Sequence, residues 1–144
     1  MKLLDVNLLL YATNPQSPQH DRARTWFDDT MNGVDRLGMP WHTLVGFLRM
    51  STQPESFRPP LSMDTALSFV EEWLEWDAVW VPQPGPDHAT ILATLLRQTP
   101  RSRIVPDAHL AHLAALAIEH GLTLCSADSD FKQFAGLRFL NPLE

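Results

Sequence analysis

Apolar positions recur along this chain with two different spacings, and together they predict strands that alternate with helices. The clearest helix runs from Pro106, which suits a first helical position because it lacks a backbone N–H, to Gly121, which suits the left-handed residue that closes a helix. Its expected core face consists of Leu110, Ala111, Ala114, Ala117 and Ile118. The short apolar run from Leu122 to Cys125 follows directly and predicts a buried strand.

The rest of the pattern continues this alternation. Further strands are expected at Leu3 to Val6, Arg36 to Met39, Ala78 to Val81 and Leu137 to Leu140. Further helices are expected to begin at Asn7, to run from Pro18 to Gly33, from Trp41 to Met50 with Leu44, Val45 and Leu48 in the core, to follow the cap Ser62, and to run from Asp87 to Gln98. This alternation predicts a three-layer α/β/α sandwich around a mainly parallel sheet.

Three aspartates fall where the predicted elements begin or end. Asp5 lies at the carboxyl end of the first predicted strand and Asp128 shortly after a later one, and ligands of α/β proteins gather outside the carboxyl ends of strands. Asp107 lies in the first turn of the late helix, three residues before Leu110, so we expect it on the core side of that helix. A purely structural reading is also open. Asp5 could accept backbone N–H groups at a strand–helix turn, and Asp128 or Asp130 could cap a short helix.

Crowded carboxylates repel one another unless a cation neutralises them. A hard divalent cation such as Mg²⁺ or Mn²⁺ is the usual partner of such a cluster. Bound there, it could activate water and stabilise charge on a phosphodiester under in-line attack. Asp5, Asp107 and Asp128, with Asp130 close by, therefore form a candidate metal and catalytic cluster.

Composition narrows the function classes. The chain has 144 residues and 44% hydrophobic content, which fits one domain over residues 1–144 with its own core. No apolar run approaches a membrane span, and the start does not read as a signal peptide, so a cytoplasmic protein is expected. The single Cys125 fits a reducing compartment and is expected to be a small core residue.

The net charge of −6 argues against a broad basic surface for nucleic acid, although an enzyme could still grip phosphates through bound cations. Arg101 and Arg103, near Arg97, form the basic concentration of the chain. They could be a solvated loop or a rim that contacts RNA phosphates.

Four segments together closely resemble PIN-domain ribonucleases, and more narrowly the VapC toxins of bacterial toxin–antitoxin pairs. They read L-L-D-V-N-L-L-L-Y-A, P-D-A-H-L-A-H-L-A, S-A-D-S-D-F and G-L-R-F-L-N-P-L. The resemblance implies a Mg²⁺-dependent endoribonuclease that cuts RNA, with transfer or ribosomal RNA as expected targets. It also implies a homodimer that a cognate VapB-like antitoxin silences.

The resemblance assigns roles to individual residues. Asp5 and Asp107 would hold the metal, Asp128 would complete the pocket with Asp130 as a helper, and Asn7 and Ser126 would orient carboxylates or waters. Gly46 departs from the family pattern, because many PIN domains carry a glutamate there. That departure leaves open a catalytically weak or inactive module that binds RNA or an antitoxin.

Other chemistries fit the sequence less well. An aspartyl-phosphate phosphotransferase with Asp5 as nucleophile would commonly carry a second acid where Asn7 stands. His109 and His112 are one turn apart but lack the intervening glutamate of zinc metalloproteases, so they are expected at the surface or rim, with His109 available to RNA. Trp73 and Trp76 are candidates for a partner-binding groove between helices.

Overall fold

A computed structural model describes residues 1–99 and 104–144, and for residues 104–107 it describes the helical backbone only. In this part of the chain, strands and helices alternate as the sequence predicts. The strands are β1 (Lys2–Leu4), β2 (Leu37–Gly38), β3 (Val79–Trp80), β4 (Thr123–Cys125) and β5 (Arg138–Leu140). The helices are α1 (Val6–Thr13), α2 (His20–Met31), α3 (Trp41–Ser51), α4 (Met63–Glu75), α5 (His88–Gln98), α6 (Ile104–His120) and a 3-10 helix (Ser129–Gln133).

The five strands form one sheet in the order β3-β2-β1-β4-β5, and every neighbouring pair is parallel. β1 is central and pairs with β4 through Leu3 opposite Leu124 and Leu4 opposite Cys125. The predicted sandwich around a parallel sheet is therefore confirmed. The order reverses beside β1, and in open α/β sheets this is where ligands bind, outside the carboxyl ends of the strands.

Side chains of the sheet alternate between two cores because successive residues of a strand point to opposite faces. Leu4 packs into the core that contains residues of α1 to α4, whereas Leu3 packs into the core that contains residues of α5, α6 and the 3-10 helix. The late helix confirms its predicted core face, with Ala111, Ala114 and Ala117 fully buried. These two cores fix the carboxyl edge of β1 relative to the helices on both faces.

Two connections at this edge determine where functional side chains stand. Asp5 alone separates β1 from α1, and its backbone N–H donates to the Cys125 carbonyl at the end of β4, 3.0 Å away. The Thr43 hydroxyl, which is fully buried, donates to the Leu4 carbonyl at 2.8 Å and so ties the first turn of α3 to the end of β1. The ends of β1 and β4 and the start of α3 therefore surround one region.

Candidate active site

Asp5 lies at the centre of this region. It caps the N-terminus of α1, where its Oδ1 accepts the Val6 backbone N–H at 2.8 Å. The alternative considered from the sequence, that Asp5 accepts a backbone N–H at the strand–helix turn, is therefore confirmed. Its second carboxylate oxygen, Oδ2, faces a different set of donors, so capping accounts for only one of the two oxygens.

Ser126 and Asn7 hold that second oxygen. The Ser126 hydroxyl donates to Asp5 Oδ2 at 2.7 Å, while the Asn7 amide donates to Ser126 Oγ at 3.0 Å and approaches Asp5 Oδ2 at 3.4 Å. The backbone N–H of Asp128 also donates to Ser126 Oγ at 3.0 Å. Because the Ser126 oxygen already accepts two hydrogen bonds, its single proton is directed at Asp5. The network is suited to an ionised Asp5 carboxylate, which only accepts.

Asn7 is oriented in turn by the loop after β4. Its side-chain oxygen accepts the Ala127 backbone N–H at 3.2 Å, which leaves the amide nitrogen for Ser126 and Asp5. The structure thus brings Asn7 and Ser126 together around Asp5 from opposite ends of the chain.

The electrostatic environment of Asp5 is unfavourable for its charge. Asp5 is only 8% exposed, and burial raises the pKa of its carboxyl above the ordinary value. The hydrogen bonds from Ser126 and Val6 lower that pKa by less, and the charge of Asp128 raises it further. In the described part of the chain neither aspartate forms an ion pair. No ion pair among the described residues would offset the charge of these two carboxylates when they are ionised, and such a donor set suits a hard divalent cation.

Asp128 faces the same cavity as Asp5, which has a volume of about 690 Å³. Asp128 is half-buried and caps the 3-10 helix, where its Oδ1 accepts the Asp130 backbone N–H at 2.9 Å. Asp130 itself is exposed in the first turn of that helix. Of the two acids after β4, Asp128 is the one that both caps the helix and lines the cavity.

The third predicted acid, Asp107, lies in the first turn of α6, and its side chain is outside the described residues. Arg101 and Arg103 are also outside the described residues. The following turns of α6 line the cavity through His109, which is exposed as predicted, and through Leu110 and Leu113. Among the residues whose side chains are described, no three acids, histidines or cysteines are placed to hold a metal ion.

Helix α3 forms the opposite wall of the cavity. Gly46, which departs from the family pattern, lies on this wall, and a Cβ added there would find room, because it would meet Val6 Cγ2 at 3.5 Å, an ordinary contact. Val45 was expected in the core, and that prediction is wrong, since it is 55% exposed. Val45 instead lines the cavity together with Trp41 and Arg49. The side of α3 that carries these three residues therefore faces the cavity, although the apolar spacing had placed Val45 on the core side.

Histidines from three helices cluster beside the cavity, and the sequence pattern missed this cluster. The ring of His42 in α3 lies 5.3 Å from those of His109 and His112, and His88 Nε2 in α5 lies 3.1 Å from His112 Nδ1. His112 is half-buried rather than at the surface. Burial, followed by the neighbouring histidines, lowers the pKa of His112 to about 4. The pKa of His42 is also lowered, mainly by burial, so both rings favour the neutral form.

Cys125 and the pair Trp73 and Trp76, which the sequence also singled out, lie outside this cavity. Cys125 is fully buried, and burial raises the pKa of its thiol to about 12, which fits a core residue rather than a nucleophile. Trp73 and Trp76 line a separate cavity of about 210 Å³ between α1, α2 and α4.

Within the described residues, no helix has the length and apolar character needed to cross a membrane.

Comparison with known proteins agrees with this architecture. The PIN domain family model matches residues 2–137. Ribonuclease VapC37 and Ribonuclease VapC33 of Mycobacterium tuberculosis are each 39% identical to the chain. The first alignment covers 99% of this chain and 97% of the relative, and the second covers 99% of both. The crystal structure of VapBC2 from Rickettsia felis, bound to a promoter DNA fragment, aligns with a TM-score of 0.68 over 97% of both chains at 14% identity. The chain therefore belongs to the PIN-domain family, in the group of the VapC ribonucleases.

Proposed function

We propose that this chain is a metal-dependent endoribonuclease and the toxic component of a toxin–antitoxin pair. The observation that carries the proposal is the buried Asp5 carboxylate, held by Ser126 and Val6 and facing the same cavity as Asp128. Full-length relatives named as VapC ribonucleases support the same reaction class.

In this proposal, Asp5 and Asp107 hold Mg²⁺ or Mn²⁺, and Asp128 completes the pocket. When bound, the cation supplies Lewis-acid stabilisation of a phosphodiester under attack and activates water for that attack. Asn7 and Ser126 fix the direction of the Asp5 carboxylate, so its oxygen lone pairs are preorganised toward the cavity. Asp130 is a helper through its contact with Asp128, while Arg101, Arg103 and His109 contact RNA at the rim.

Biological context follows from the same family. We propose that residues 1–144 form a single PIN-like domain that acts in the cytoplasm, that it forms a homodimer, and that a VapB-like antitoxin silences it. The structural neighbour from Rickettsia felis is a VapBC assembly, which supports a partner of this kind. The cavity at Trp73 and Trp76 is the proposed antitoxin anchor. Transfer and ribosomal RNA are the proposed targets.

The decisive experiment incubates purified protein with pooled transfer and ribosomal RNA, in Mg²⁺ or Mn²⁺ and then with EDTA. Discrete fragments should form with the metal and vanish with EDTA, and they should be absent with Asp5→Asn and with Asp107→Asn. Asp64→Asn is the matched control, because it removes one carboxylate from an exposed position in α4. Full cleavage by Asp5→Asn would contradict the proposal.

A second candidate, a non-catalytic module that binds RNA or an antitoxin, is favoured by one observation. Gly46 lines the cavity without contributing the carboxylate that many PIN domains place there. Folded, antitoxin-free protein that retains binding but releases no fragments in either metal would select this second function.

A further inference from the structure

We propose that Trp41, Val45 and Arg49 on α3 form a subsite for an unpaired nucleobase of RNA, with Trp41 as the stacking surface. The proposal rests on the proposed ribonuclease function, since it names how that site would hold its substrate. It concerns binding of the RNA beside the cut rather than the cut itself.

The three residues follow one another at four-residue intervals, so they lie along one face of α3. All three line the cavity that contains Asp5 and Asp128. The distance along the helix axis from Trp41 to Arg49 is roughly 12 Å, which corresponds to about three to four stacking steps of a nucleic-acid strand. A single strand bound along α3 would therefore lie in the same cavity as Asp5 and Asp128.

Trp41 differs from the other tryptophans because packing does not account for it. The others are held by contacts within the described residues: Trp26 packs against the core, Trp73 contacts Phe27, Phe47 and Phe69, Trp76 donates to the Met31 carbonyl, and Trp80 contacts Arg36 and His120. Trp41 is 48% exposed and has no ring contact or hydrogen bond of this kind in the described part of the chain.

The surroundings of Trp41 favour a nucleic-acid ligand. Val45, one turn further along, is 55% exposed and extends the apolar surface. Arg49 is exposed, forms no ion pair within the described residues, and supplies positive charge for a phosphate at the far end of the strip. Trp41 offers an aromatic face for a base, and Arg49 offers a positive charge for a phosphate. Such a combination is typical of surfaces that bind single-stranded nucleic acid. A purely apolar protein partner would not use the charge of Arg49.

The start of α3, which carries Trp41, is anchored to the carboxyl end of β1. Pro40 caps α3 in extended conformation, and the buried Thr43 hydroxyl bond to Leu4 fixes the first turn, which carries Trp41. The backbone of Trp41 is therefore anchored close to Asp5, because Leu4 directly precedes Asp5 in the chain.

The test measures binding of a short, labelled single-stranded RNA by fluorescence anisotropy, with Ca²⁺ in place of Mg²⁺ to slow cleavage. Trp41→Leu removes the π-face but keeps apolar bulk, and we expect the Kd to rise by about 5- to 150-fold. Trp41→Phe should restore most of the affinity. Met63→Ala is the control, because Met63 is similarly exposed at 49% but lies on α4 outside this cavity.

A second arm identifies the base. The same RNA is prepared as a set in which each member lacks one nucleobase. The wild-type protein should bind one member more weakly than the intact RNA, and Trp41→Leu should bind that member and the intact RNA equally. Equal sensitivity of both proteins to every member would overturn the subsite.

Three further outcomes also overturn it: no binding of the single strand by wild-type protein, unchanged binding by Trp41→Leu, or a loss of binding that coincides with a change in oligomer mass by light scattering. The last outcome would make the α3 strip a protein interface. The proposed nuclease function has its own readout. If the protein cleaves RNA with metal and Trp41→Leu binds RNA as the wild type does, the nuclease function stands and the subsite is refuted. If Trp41→Leu weakens binding but no RNA is cleaved, the subsite stands and the nuclease function is refuted.

Discussion

Gly46 offers a test of the packing at the cavity wall that needs no assumption about chemistry. It lies in the middle of α3, and glycine in a helix interior costs about 1 kcal/mol relative to alanine. Gly46→Ala should therefore stabilise the protein, provided that the added methyl group finds room. The structure provides that room, since the new Cβ would lie 3.5 Å from Val6 Cγ2 and 3.7 Å from Val6 Cβ, which are ordinary van der Waals distances.

The expected gain is about 1 kcal/mol, with a small further contribution from contact with Val6, and it corresponds to a rise of about 2–4 °C in Tm. Thermal unfolding by circular dichroism in EDTA measures this rise without interference from bound metal. Gly121→Ala is the matched control, because it makes the same chemical change at a residue with φ of +68°. A left-handed alanine costs about 1–2 kcal/mol, so the control should lower Tm. An unchanged or lower Tm for Gly46→Ala would refute the reasoning.

The same position tests the missing acid. Gly46→Glu should place a carboxylate near Asp5 and Asp128. Without a cation the new carboxylate repels the two aspartates, and with a cation it can help to bind the ion. We therefore expect Mg²⁺ or Mn²⁺ to raise the Tm of Gly46→Glu by more than it raises the Tm of Gly46→Ala. Equal metal-induced shifts would show that residue 46 does not face the metal site.

Two further predictions follow from the hydrogen-bond network and from the histidine cluster. Ser126→Ala removes the hydroxyl bond to Asp5 Oδ2 and the acceptor for the Asp128 backbone N–H, so we expect a loss of about 1–3 kcal/mol in urea unfolding together with lower RNA cleavage, whereas the exposed Ser68→Ala should change neither. Because the pKa of His112 is about 4 in the folded protein against 6.5 ordinarily, the unfolded chain takes up the proton first, and the stability contribution of His112 is complete above pH 6.5 and lost as the pH falls to 4. This difference in pKa corresponds to about 3 kcal/mol, which we reduce to about 1–2 kcal/mol because the ring is half exposed. His112→Gln should remove this part of the pH dependence of the free energy of unfolding in urea. An unchanged dependence between pH 4 and pH 6.5 would contradict the assignment.

Much of the fold could be predicted because its central elements carry strong local signals. The late helix ends at Gly121 as predicted, and the apolar runs before Asp5 and Ser126 form adjacent parallel strands. Since strands at a switch point bring their carboxyl ends together, the proximity of Asp5 and Asp128 followed from element order alone. β2 and β3 gave weak signals, because strands of two residues are too short to show alternation.

The walls of the site were less predictable. The exposure of Val45 could not be read from spacing, because an apolar residue at helical intervals can face a core or a cavity equally well. The contacts of His42 with His109 and His112 join helices that are far apart in sequence, so only the packing of α3 against α6 reveals them. For Ser126 the resemblance indicated an orienting role, but the carboxylate oxygen to which its hydroxyl donates is known only from the structure.

The hydrogen bond between Asp5 and Ser126 joins residues that are 121 positions apart. During synthesis on the ribosome, Asp5 emerges early, yet its partner is made only when most of the chain has been translated. A nascent or prematurely terminated chain that stops before β4 has neither the strand that pairs with β1 nor the hydroxyl that orients Asp5. If the proposed nuclease function is correct, the site around Asp5 is therefore assembled only late in synthesis, and a chain that ends before β4 lacks two of its parts.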